Sequence, residues 1–160
     1  MIEIRKMILK RDLDILDRIE RTIFPVDYIE KSAWKGYKET YLLFYKNVPA
    51  GYVTVQPNTG LYSYKTKTHE KKLSALHLTS LGIVPKLRGK GLAELLMSWV
   101  MAYARLGKFK SINATSRKSN KPIISLLIKK FGFKMSREIK NFYPDSEAAV
   151  VEEYFLKNYV

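Results

Sequence analysis

The 160-residue chain contains no cysteine. Disulfide staples, thiol nucleophiles and Cys-ligated zinc are therefore excluded. Histidine is almost as scarce: only His69 and His77 occur, too few for a metal site of three imidazoles. Acidic residues are also short, 15 Asp and Glu against 29 Lys and Arg, which leaves a formal charge of +14. Long apolar runs are missing. The longest mostly apolar stretch, 95–104, falls well below the ~20 residues of a membrane span. The N-terminal MIEIRKMILKRDLDIL, broken by charges every few positions, does not read as a signal peptide. These absences predict a soluble, cytoplasmic protein with no metal and no membrane partner.

The excess of basic residues implies attraction to something acidic: RNA, a ribosome surface, anionic lipid or a phosphorylated cofactor. The plainer alternative is that lysines spread along the chain only solubilise it. A chain of this length is most simply a single domain, 1–160, large enough to bury a core.

Periodicity gives the element order. IEIRKMIL alternates as a strand, and Asp12 is placed to cap a helix whose Leu13, Leu16, Ile19 and Ile23 share one face. FPVDY, 24–28, stops that helix, because Pro25 disfavours helical geometry in Phe24. A second short helix is expected in IEKSAWKGY, and a hairpin in YLLFYKNVPAGYVTVQP, with Asn47, Pro49 and Gly51 at its turn. Residues 58–73, rich in Lys and Tyr, read as a long basic loop. A strand SALHLTSLGIV then leads into VPKLRGKGLAELL, where Leu92, Leu95, Leu96, Trp99, Val100 and Tyr103 form a helical stripe ending near Gly107. KSINAT is a strand, and NKPIISLLIKKF is a helix opened by Asn120 with Pro122 in its first turn. FKMSREIKNFY and AVVEEYFLK are the last strands. The order β-α-α-β-β-β-α-β-α-β-β is that of a mixed α/β layer protein.

RGKGLA places two glycines between a strand and a helix. Glycines let backbone amides turn toward a ligand, and the first turn of a helix favours an anion there. Lys86, Arg88 and Lys90 add positive charge. The motif is neither a nucleotide P-loop nor a dinucleotide fingerprint, and its spacing alone leaves an ordinary turn open.

With the preceding SLGIVP and the later N-x-P…KKFGF, this motif resembles the acetyl-CoA-binding motifs of the GNAT superfamily of N-acetyltransferases. The resemblance covers nearly the whole chain. It implies a GNAT fold: an α/β (α+β) protein with a mixed, mostly antiparallel sheet of about seven strands flanked by about four helices. It also implies acetyl-CoA as cofactor. Leu81, Ile83 and Val84 would then meet the pantetheine, and Arg88, Gly89, Lys90, Gly91, Leu92 and Ala93 the pyrophosphate. Asn120 would meet the pantetheine end, and Gly82 would suit a bulge in the strand.

HLTSL, RKSN, FPVDY and KNFYPDSE further resemble the archaeal-type catalytic subunits of protein N-terminal acetyltransferases. The implied substrates are protein N-termini or nascent peptides, held by Phe24, Pro25, Val26 and Tyr28 on one loop and Phe142 and Tyr143 on another. An auxiliary subunit and a ribosome or RNA contact through the basic surface fit the same picture. Within it His77 is the proton acceptor, and Tyr143 either donates a proton or holds the peptide. An α-amino group has a pKa near ~7.8 against ~10.4 for lysine, so it asks less of a base. Three family catalytic types are replaced: a carboxylate position falls on Val26, a histidine on Thr115 and a tyrosine on Leu127. Two alternatives stay open at this point. One is a GNAT enzyme acting on lysine side chains or a polyamine; the other is a basic RNA- or ribosome-binding module without catalysis.

Overall fold

The computed structural model describes residues 1–57 and 75–156. The expected basic loop, with His69, Tyr62 and Tyr64, lies outside them. Two compact units form, Met1–Gln56 with Thr79–Met101, and Pro57–Leu78 with Ala102–Val160. The described elements are strands β1 (Ile2–Lys6), β2 (Thr40–Tyr45), β3 (Val48–Pro57), β4 (Ala75–Ile83), β5 (Ser111–Arg117), β6 (Lys134–Ile139) and β7 (Ala149–Phe155). The helices are α1 (Leu9–Ile23), α2 (Leu92–Leu106) and α3 (Lys121–Ser125), with a 3-10 segment at Lys31–Gly36. Strands hydrogen-bond in the order β1-β2-β3-β4-β5-β7-β6. β4 and β5 pair in parallel, while β1 with β2, β2 with β3, β5 with β7 and β6 with β7 are antiparallel. This is the mixed, mostly antiparallel fold expected. Among the described residues no helix is long and apolar enough to cross a membrane.

In the first unit, Leu16, Ile19 and Ile23 of α1 pack with Trp34, Leu42 and Tyr52. Each such buried side chain stabilises the fold by roughly 1.5–3 kcal/mol. α1 begins earlier than Asp12 suggests, at Leu9 with Ile8 as N-cap. Asp12 instead reaches back from the first turn and accepts the Ile8 amide at 2.8 Å and Arg5 Nη1 at 2.8 Å. Burial alone would push its carboxyl up, but these bonds and two from Arg11 hold it far below the usual range. The hairpin turn is Lys46–Asn47, both at positive φ (51° and 64°). That two-residue turn matches the twist of the strands, so Pro49 and Gly51 fall inside β3. The expected second helix is the 3-10 segment.

In the second unit, Asn120 caps α3 as expected, accepting the Ile123 amide at 3.5 Å. The α-helix is shorter than predicted and continues as a π turn over Leu126–Lys130. Gly132, at φ 75°, ends it. Leu127 and Phe133 are buried there, and Phe133 meets the Tyr154 ring with centroids 5.4 Å apart.

Candidate active site

In the first unit, the end of β4 is shaped by two close approaches. A Cβ on Gly82 would sit 2.6 Å from Ile23 Cγ2 and 3.3 Å from the Phe24 ring. A Cβ on Gly51 would in turn strike the Gly82 carbonyl oxygen. Gly82 thus supplies room for the end of α1, which carries the FPVDY loop, to rest on β4. The chain then turns through Pro85–Leu87, and Arg88 Nε donates to the Ile83 carbonyl at 3.0 Å.

Gly89 and Gly91 have φ of 77° and 76°, and an added Cβ at either would meet nothing within 4 Å. Their need for glycine is conformational, not a matter of packing. The first intrahelical bond of α2 runs from Leu95 N to Gly91 O at 3.0 Å. The amides of residues 92–94 therefore have no carbonyl of their own helix to pair with. Exposed glycines, first-turn amides that precede the first intrahelical bond and the helix dipole fit a diphosphate. Lys86, Arg88 and Lys90 are exposed around this turn, Lys90 with its ammonium 6.0 Å from the Tyr45 ring centre. Ile83 and Leu92 bury their side chains, so only their backbones are available to a ligand. Leu81, Val84 and Ala93 are half-buried.

The FPVDY loop presents a half-buried Phe24, an exposed Pro25 and a Val26 that is 85% exposed. Tyr28 is half-buried under the Arg21 guanidinium, 4.1 Å from its ring centre. The loop is closed by the Ile29 amide, which donates to Glu20 at 2.8 Å.

The second unit holds the other expected residues. Parallel pairing sets His77 of β4 opposite Asn113 of β5, and His77 Nδ1 donates to Asn113 Oδ1 at 2.5 Å. Because the acceptor is a carbonyl oxygen, Nδ1 carries the proton of this bond. Asn113 Nδ2 and Thr115 Oγ1 are buried without hydrogen-bond partners. Both alternate onto the same face of β5.

Arg117, at the end of β5, orders the loop between β6 and β7. Its Nη1 donates to Asp145 Oδ2 and Glu147 Oε1, each at 2.9 Å. Its guanidinium lies 4.1 Å from the Tyr143 ring centre, and Phe142 packs edge-on against Tyr143. The Ser119 amide donates to Glu147 Oε2 at 2.8 Å, which ties this loop to the turn carrying Asn120. The hydrogen bonds from Ser119 and Arg117 hold the Glu147 carboxyl below its ordinary value. Phe142 stays 37% exposed, and Tyr143 is half-buried.

Each unit therefore gathers a part of the expected set. Leu81–Ala93 and the Phe24 loop belong to the first, and His77, Asn120, Phe142 and Tyr143 to the second. Sequence reading missed Asn113, because its pairing depends on a register between strands 36 residues apart. It also missed a buried Glu20–Tyr52–Ser80 chain, whose members are far apart in sequence.

The Acetyltransferase (GNAT) family model matches residues 13–133. No curated protein sequence matches significantly. Ard1 from Thermoplasma volcanium is similar in structure, with a TM-score of 0.80 at 17% identity, over 98% of this chain and 99% of that one. The ribosomal-protein-S18-alanine N-acetyltransferase of Escherichia coli gives a TM-score of 0.82 at 17% identity, over 100% and 97% of the two chains. Arabidopsis thaliana Naa50, in complex with the bisubstrate analogue CoA-Ac-MVNAL, gives 0.75 at 19%, over 97% and 99%. At such identities the structures speak for the fold, and the family model speaks for the family. The chain belongs to the GNAT family of acetyltransferases.

Proposed function

We propose that this acetyltransferase, acting as one catalytic domain in the cytoplasm, acetylates the α-amino group of protein N-termini or nascent peptides by direct attack in a ternary complex. The observation that carries the reading is that each unit presents an apolar loop of its own. Phe24, Val26 and Phe142 offer apolar surface, and Tyr143 adds one hydroxyl, which suits the first residues of a peptide. A polyamine would ask for carboxylates in their place.

Acetyl-CoA, when bound, supplies an activated acyl group as a thioester. Gly89, Gly91 and the first turn of α2 would hold its diphosphate through backbone amides, with Arg88 and Lys90 adding charge. Leu81, Ile83 and Val84 would meet its pantetheine, and Asn120 the pantetheine end. His77 Nε2 takes a proton from the acceptor ammonium, while the Asn113 carbonyl holds the ring in the required tautomer. Leu127 cannot donate a proton, so Tyr143 is the proposed donor or peptide anchor. The +14 charge supports a ribosome or RNA contact, and an auxiliary subunit is compatible with it.

An acetyl-transfer assay on two peptide sets tests this. One set varies residues one and two and lacks lysine; the other has blocked N-termini and internal lysines. Transfer to the first set is expected. Transfer confined to the blocked set would overturn the acceptor assignment and leave a lysine acetyltransferase.

A further inference from the structure

Three polar side chains cross the apolar interior of the first unit. Glu20 lies near the end of α1 and is 1% exposed, on the helix whose Leu16, Ile19 and Ile23 pack with Trp34, Leu42 and Tyr52. Its Oε1 accepts the Ile29 amide at 2.8 Å. Its Oε2 accepts the Tyr52 hydroxyl, and that hydroxyl is 2.7 Å from Ser80 Oγ. Since the Tyr52 proton is committed to the carboxylate, Ser80 must be the donor in the remaining bond. Every proton in the chain then points toward Glu20. Ser80 Oγ keeps its lone pairs for a donor from outside, and Ser80 is half-buried on β4, next to Leu81.

We propose that Ser80, Tyr52 and Glu20 form a proton relay that drains the acceptor nitrogen, with Glu20 as the terminal proton acceptor. The inference rests on the acyl-transfer reading above. An ammonium that becomes an amide loses two protons, and His77 accounts for one. The nitrogen lone pair forms the C–N bond to the acetyl carbon, the C–S bond breaks, and sulfur leaves with the electron pair. The second proton passes from nitrogen to Ser80 Oγ as the Ser80 proton moves to Tyr52 and the Tyr52 proton to Glu20. Glu20 returns its proton through Tyr52 and Ser80 to water, the thiolate takes one proton from water, and His77 releases its own, so that one proton is released in all.

The surroundings suit an acceptor that must hold a proton briefly. Burial raises the proton affinity of Glu20, and Asp17 on its own helix acts in the same direction. Tyr52, on β3, is pushed well above its ordinary range by burial and by Glu20, with Tyr37 adding to it. It therefore passes protons as a neutral phenol. The remaining groups that face the carboxylate, the Ile29 amide and Ser80 through Tyr52, are uncharged.

Glu20→Gln in the full chain is the test, with Tyr52→Phe and Ser80→Ala as cuts at the middle and the entrance. With whichever amine the wild type accepts, kcat should fall at least tenfold in Glu20→Gln. CoA affinity and the acceptor KM should change less than threefold. The double variant Glu20→Gln/Tyr52→Phe should lose no more than either single one, as groups acting in series do. The acid limb of the kcat–pH profile should lose one ionisation. Wild-type kcat and an unchanged profile in Glu20→Gln would overturn the relay, as would additive losses. Should Glu20→Gln unfold, Ser80→Ala carries the same kcat and pH readouts. Wild-type transfer to lysine alone overturns the α-amino reading but still tests the relay; no transfer to any amine overturns both.

Discussion

Glu152 is fully buried on β7, with Ser116 Oγ donating to its Oε2 at 3.3 Å and no hydrogen-bond partner for its Oε1. Burial pushes its carboxyl from 4.5 up to about 7, against a smaller opposing effect of the Ser116 hydroxyl. The folded chain therefore keeps a proton that the unfolded chain has released between those values. Stability from this group is present below pH 4.5 and is lost as pH rises through about 7. Between pH 5 and 8 the loss is about 2 kcal/mol. Urea unfolding of the wild type and Glu152→Gln at both pH values checks it. The variant should lack that much of the pH dependence, and parallel stability profiles would contradict the assignment. Legibility at this scale was uneven. His77 stood out because histidine is rare in this chain. Glu152 did not, since VVEEY does not reveal which of two adjacent glutamates faces inward.

At the scale of elements, the turn into α2 was the most legible feature, because RGKG demands the two positive φ values that Gly89 and Gly91 show. Gly91→Val forces a side chain into that region at about 1–2 kcal/mol, with no steric clash to add. The fold should survive, and CoA affinity should fall at least tenfold by calorimetric titration. Gly36→Ala, where a Cβ also meets nothing, is the control with unchanged affinity. Equal CoA affinity in both variants would remove this turn from the cofactor site. Other elements were read less well for identifiable reasons. The start of α1 was placed late because Asp12 acts from the first turn rather than from the cap. The hairpin turn includes Asn47 as expected, but Pro49 and Gly51 fall in β3 and Lys46 takes the other turn position, because turn-forming residue types favour Pro and Gly over Lys. Gly82 also leaves space for Ile23 and Phe24, a contact that no local pattern encodes.

For the whole molecule, the legible quantities were the element order and the charge. Strand alternation and helical stripes sufficed for the sheet, since most elements follow local rules and short connections. Charge says that acidic partners are favoured but not which ones, because lysines that solubilise and lysines that bind look alike in sequence. A net +14 would draw the chain to RNA by release of counterions, an effect that weakens steeply with salt. Acetyl transfer to a short neutral peptide, at saturating acetyl-CoA, has no such polyanion to displace. Co-sedimentation with ribosomes is therefore expected at about 50 mM salt and lost by about 200 mM, while kcat on the free peptide holds across that range. Binding that survives high salt would demand a specific docking surface. No binding even at low salt would assign the lysines to solubility.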